Sequence, residues 1–156
     1  MKNQINELKF TVPEVTPEQE KEVLYNHVIA YCTTGISFAK TKGTSPKEYG
    51  KFIGKMFIPF WNPNDGFPAF ANGLIFMLAG MHPDNAMQIV EQSEKMICFK
   101  MKNVDFAFKQ GPAFGTTYEE LLECSEGILS TIAEHMNTTF SHKVTDKTWY
   151  EVTLEA

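Results

Sequence analysis

Residues 116–137 read TTYEELLECSEGILSTIAEHMN, and the spacing within them decides how the rest of the chain is read. Tyr118, Leu121, Leu122, Ser125, Ile128, Leu129, Ile132, Ala133 and Met136 recur at three- and four-residue steps, so they line one helical face. Glu119, Glu120, Glu123, Glu126, Ser130 and Glu134 fall on the opposite face, toward water. Thr116 with Glu119 fits a capping box, in which the hydroxyl accepts from an orphan backbone N–H and the carboxylate reaches back. The early glutamates also suit the positive end of the helix dipole.

A pair of strand-like runs lies on each side of this helix. Upstream, residues 87–92 and 96–102 read as a hairpin around Ser93-Glu94-Lys95, with Ile97, Phe99 and Met101 alternating against Cys98, Lys100 and Lys102. Downstream, residues 138–145 and 149–155 flank a turn at Asp146-Lys147. Phe140, His142 and Val144 share one side of the first of these strands, and Tyr150, Val152 and Leu154 one side of the second. Between the first hairpin and the helix, Gly111, Pro112 and Gly115 break up residues 103–115, which read as a loop able to fold over a pocket.

The amino-terminal half reads as helical after a short alternating strand at residues 7–12, where Leu8, Phe10 and Val12 alternate with charged or polar neighbours. Thr16-Pro17-Glu18 opens a helix that runs to about Lys42, with Gly43 to end it. Leu24, His27, Val28, Tyr31, Gly35, Phe38 and Ala39 share a face. Val23, Tyr25, Ile29 and Ile36 widen it, so cover on more than one side is expected. Ser45-Pro46-Lys47-Glu48 starts a second helix with a capping box. Its apolar face is Tyr49, Phe52, Ile53, Met56, Phe57 and Phe60. Gly50 and Gly54, one turn apart, permit close approach of another helix, and Pro59 ends or kinks the helix. Residues 69–81 are apolar nearly all round, as in a helix buried in a core or a subunit interface. The fold class is therefore α+β in a single domain: amino-terminal helices packed on a four-stranded antiparallel sheet built as hairpin, helix, hairpin.

Composition narrows the function classes. The chain has 156 residues, is 43% hydrophobic and 21% charged, and carries a net charge of −5, the profile of a soluble globular protein. No residue is an arginine, the side chain that supplies bidentate contacts to phosphates and base edges, so no nucleic-acid partner is expected. No apolar run is long enough to span a bilayer. The amino-terminal residues lack a signal-peptide core, and Cys32, Cys98 and Cys124 make neither an even set nor a metal hook; a reducing cytoplasm is the expected setting. No His-x-x-x-His or Glu-x-x-His pair, Gly-rich phosphate loop or nucleophile elbow occurs, so neither metal nor cofactor is expected.

The run from Glu126 to Ala133, followed by Phe140-Ser141-His142-Lys143-Val144, resembles the Gly-containing helix and closing strands of one superfamily. It is the ligand-binding fold shared by transport-particle (TRAPP) subunits, bacterial vinyl-reductase-type domains and haem–nitric-oxide sensors. The resemblance covers roughly residues 85–155 and consists mostly of hydrophobic pattern. The haem sensors' Tyr-x-Ser-x-Arg signature has no place in a chain without arginine, and the clustered metal-binding cysteines of some vinyl-reductase-type domains are missing. The resemblance implies a binder of a small, largely apolar molecule, often dimeric, without haem or zinc.

Candidate ligand-binding residues follow from the aromatic content, which includes 13 phenylalanines. Tyr31, Phe57, Trp61, Phe76, Phe99 and Phe106 are candidates to wall a pocket between helices and sheet; the plain alternative is a solid aromatic core. His27, with Tyr31 one turn on, is a candidate polar handle, and His142 a second; each is otherwise a histidine with an ordinary hydrogen bond. Lys47, Lys51 and Lys55 form a basic stripe, either a solvated face or a contact for an acidic partner. Three functions fit: a homodimeric binder of a small apolar molecule, a small hydrolase with His27 or His142 as base, or an assembly homodimer with a filled interior.

Overall fold

The computed structural model describes residues 14–81, 87–102, 105–145 and 149–156. The predicted strand at residues 7–12 and the turn at Asp146-Lys147 lie outside the described residues. Three helices come first: α1 (Pro17–Thr41), α2 (Pro46–Phe57) and α3 (Gly66–Met81). The hairpin β1 (Met87–Gln92) and β2 (Met96–Lys102), the helix α4 (Tyr118–His135), and the hairpin β3 (Thr139–Val144) and β4 (Trp149–Glu155) follow. The α+β class and the hairpin, helix, hairpin order are those expected from the sequence.

All strand pairs are antiparallel and the sheet order is β1-β2-β4-β3. The two central strands therefore come from different hairpins, and β4 pairs with β2 from Met96↔Glu155 to Lys102↔Trp149. On one face Phe99, Met101, Tyr150, Val152 and Leu154 point into the core. On the other, Glu151 stands between Lys100 and Lys143, at 3.7 and 2.6 Å.

Helix α4 lies on the core face of the sheet. Leu129, Ile132, Ala133 and Met136 pack with the inward residues of β2 and β4, and with Phe70, Leu74 and Leu78 of α3. Phe70, Leu74, Phe99, Ile132, Val152 and Leu154 are all at most 1% exposed, so the middle of this layer is filled with side chains. A smaller cluster of Ile36, Leu121 and Cys124, with Tyr49 and Phe108 against it, joins α1 and α2 to the start of α4.

The second side of α4 is covered by α2 through glycines. A Cβ on Gly127 would lie 2.3 Å from the Lys47 carbonyl oxygen, and one on Gly54 would lie 2.8 Å from that of Ile128. The two backbones touch directly, which only residues without a side chain allow. The spacing of Gly50 and Gly54 anticipated this contact. It also explains why Glu126, expected to face water, is half-buried and holds Lys47 at 2.7 Å.

Two helix starts differ from expectation. The cap of α4 is one residue later: Thr117 accepts from the Glu120 N–H, and Glu120 accepts from the Thr117 N–H at 2.9 Å. Thr116 is unavailable because it is fully buried, donating its hydroxyl to the Thr33 carbonyl of α1 at 2.8 Å. At α2, Ser45 accepts from the Glu48 N–H, but the Glu48 carboxylate pairs with Lys51 at 2.7 Å, which leaves half a capping box. Asn137 closes α4 in the left-handed region at φ 53°, a conformation asparagine tolerates well.

Helix α1 buries only one flank of the apolar surface expected on it, the flank that holds Tyr25, Ile36 and Ala39. The residues it buries are Tyr25, Thr33, Ile36 and Ala39. Leu24, Val28, Tyr31 and Phe38 are turned outward. Helix α3 is likewise buried on one side only, with Phe76 82% exposed.

Candidate functional site

The structure divides the eight predicted site residues among several places. Phe99 sits at 0% exposure in the packed core. Trp61 is half-buried, edge-on to Phe70 with ring centroids 5.2 Å apart. Its carbonyl accepts a hydrogen bond from His135 Nε2 at 3.0 Å. Tyr31, Phe57 and Phe76 are exposed, at 76%, 44% and 82%. His27 is exposed beside Tyr31, their rings 6.3 Å apart and tilted. Phe106 belongs to a 3-10 turn, Asp105–Phe108, and its side chain lies outside the described residues. His142 is half-buried on the core side of β3. The described side chains among them do not converge on a common cavity.

A polar cluster forms around His142. Its register partner on β4 is Val152, which places Tyr150 diagonally across on the same face. The His142 and Tyr150 rings are 5.1 Å apart, and Phe140 meets the imidazole edge-on at 5.6 Å. His142 Nδ1 and the Tyr150 hydroxyl are both buried without a hydrogen-bond partner among the described residues. Each such orphan costs about 1–3 kcal/mol. Burial lowers the pKa of His142; the nearby Glu126 carboxylate opposes that shift and Lys47 adds to it. Burial, followed by Tyr118 and Glu126, raises the pKa of Tyr150. At neutral pH the pair is thus a neutral imidazole and a neutral phenol in apolar surroundings. Sequence reasoning reached His142 but not Tyr150, because the orphan hydroxyl appears only when β4 is placed beside β3.

The second candidate is the outer face of the helical layer. Leu24, Val28, Tyr31 and Phe38 of α1 are 58%, 41%, 76% and 64% exposed. Phe52 and Met56 on α2, and Phe60 just after it, are also exposed. A half-open groove of about 290 Å³ runs along the first turns of α1, lined by Pro17, Glu20, Lys21, Leu24, Tyr25, Val28 and Gly80. Of the basic stripe, Lys47 and Lys51 are engaged with Glu126 and Glu48. Among the described residues no three His, Cys, Asp or Glu side chains converge as a metal site would require, and no helix is long and apolar enough to cross a membrane. No protein-family model, curated protein or solved structure matches this chain.

Proposed function

We propose that this domain works by association, as an assembly module whose working surface is the outer face of α1 and α2. The observation that carries this reading is the set of exposed large apolar side chains on those helices, Tyr31 and Phe38 foremost. Scattered exposed apolar residues are ordinary, but a row of them along one helix marks an interaction surface. The filled layer between α4 and the sheet supports the same reading, since the interior is already occupied by the protein's own side chains. Light scattering coupled to size exclusion tests it. Association predicts a concentration-dependent mass above the 17.7 kDa of one chain, and Tyr31→Glu reduces it. A chain that stays at the mass of one copy up to millimolar concentration would refute the reading.

A second reading, a binder of a small and largely apolar molecule, is favoured by the groove on α1. Its 290 Å³ is at the lower end of ligand-site volumes, and Leu24, Tyr25 and Val28 give it an apolar floor beside Glu20 and Lys21. Titration with an apolar fluorescent probe separates the two. Specific binding in the groove is saturable and is weakened by Val28→Glu, whereas a groove that takes no ligand gives only weak, linear signal.

A further inference from the structure

The outward residues of α1 are spaced for another helix. Leu24, Val28, Tyr31, Gly35, Phe38 and Lys42 follow at alternating four- and three-residue steps, the 3.5-residue period of a coiled-coil seam. Glu20, four residues before Leu24 and one residue off the alternation, flanks this row at its amino-terminal end, and Lys42 closes it at the other. The row thus reads acid, apolar, apolar, aromatic, gap, aromatic, base. The gap at Gly35 is already filled from within: a Cβ there would lie 2.5 Å from the Tyr49 hydroxyl of α2.

The middle and the two ends of this row are complementary to themselves when reversed. Leu24 and Phe38 each stand seven residues from Tyr31, and Glu20 and Lys42 each stand eleven. We infer that α1 pairs antiparallel with α1 of a second copy about a two-fold axis near Tyr31, a proposal that rests on the association reading above. Leu24 then faces Phe38 of the second copy, Tyr31 faces its own counterpart, and Glu20 faces Lys42 at both ends. A two-fold contact repeats each pairing, so one charge match counts twice.

Charge weighs against a parallel pairing and against a lipid surface on this face. A parallel pair would set Glu20 against Glu20 and Lys42 against Lys42. An anionic lipid surface would meet Glu14, Glu18, Glu20 and Glu22 at one end of the helix, in a chain of net charge −5. The size also fits. A helix of 25 residues is roughly 37 Å long. With about 200 Å² for each large side chain, the exposed parts of Leu24, Val28, Tyr31 and Phe38 supply roughly six-tenths of the ~800 Å² that each partner gives to a standard interface. Glu20, His27, Thr34 and Lys42, exposed beside them, extend the contact.

Cysteine cross-linking of the full chain in a Cys32→Ser background tests the geometry. Mixed Leu24→Cys and Phe38→Cys proteins are expected to form a 24–38 disulfide between copies, while Leu24→Cys alone does not cross-link to itself. Both positions are more than half exposed, so the substitutions leave the core untouched. In parallel, Glu20→Lys is expected to weaken association roughly tenfold by setting like charges together at both ends, and Glu20→Lys with Lys42→Glu restores it. A dimer that cross-links 24 to 24, or ignores both charge variants, overturns the antiparallel pairing while leaving association intact. A chain that remains single overturns both. Binding of that single chain to phosphatidylserine vesicles would assign the face to a membrane surface instead.

Discussion

A Cβ placed on Gly50 would sit 2.0 Å from the carbonyl oxygen of Cys124. That is closer than any non-bonded carbon and oxygen can approach, so α2 and α4 meet backbone to backbone at this point. Gly50→Ala must push the helices apart, and the Gly127–Lys47 contact one turn away moves with them. The expected loss is about 3 kcal/mol or more, at the upper end of overpacking effects. Urea unfolding of Gly50→Ala beside Gly80→Ala checks it. Gly80 has open space around its missing Cβ and is expected to show no comparable loss.

His142 makes stability depend on pH below the ordinary imidazole range. Its folded pKa is lowered, chiefly by burial. The unfolded chain therefore takes up a proton at a pH where the folded chain does not. No penalty exists above the unfolded value; destabilisation begins as pH falls through it and grows until the folded value is reached. Because the side chain is only partly buried, the slope is a fraction of the ~1.4 kcal/mol per pH unit that complete exclusion would give. Thermal unfolding between pH 7 and 5 measures it, and His142→Phe is expected to flatten this part of the profile. An unchanged slope in that variant would assign the effect to other groups.

Tyr150 carries a buried hydroxyl with no hydrogen-bond partner among the described residues. Replacing it by phenylalanine keeps the ring against His142 and removes the orphan. The expected outcome is a gain of about 1 kcal/mol. A loss of that size in denaturant unfolding would mean that the hydroxyl has a partner in solution, and would remove the His142–Tyr150 pair as a candidate site.

The three cysteines are expected to react in a fixed order. Cys32 is exposed, though neighbouring chain desolvates its thiol enough to raise its pKa. Cys98 and Cys124 are buried, and burial, with a smaller contribution from Cys32, pushes Cys124 up to about 12. Iodoacetamide followed by peptide mass spectrometry should label Cys32 first and slowly, and the other two only when the chain unfolds. Early labelling of Cys124 would show that the α2–α4 seam opens in the native state.

Much of the fold was legible because it follows from local rules. The alternation of Ile97, Phe99 and Met101, the caps at Thr16 and Ser45, and the close spacing of Gly50 and Gly54 each depend on near neighbours in sequence. What was not legible depends on distant ones. Periodicity showed that Leu24, Val28, Tyr31 and Phe38 share a face, but not whether the fold or the solvent lies against it. Thr116 looked like a cap until Thr33, far away in sequence, claimed its hydroxyl. The same holds for Tyr150, whose hydroxyl is an orphan only because of what β3 and α4 place around it. Aromatic content suggested a walled pocket, yet Phe99 packs solidly and Phe76 faces outward; composition carries no information about which aromatics meet.

Because β4 lies between β2 and β3, the last of the four strands to be synthesised is also a central strand of the sheet. A ribosome that has delivered α1 to β3 has exposed Phe99 and Met101 on one strand and Phe140 on another, with nothing between them. Folding of the sheet must wait until residues 149–155 have emerged, and the pairing of Met96 with Glu155 closes a long loop at that moment. Loss of this short segment would split the sheet down its centre instead of trimming an edge.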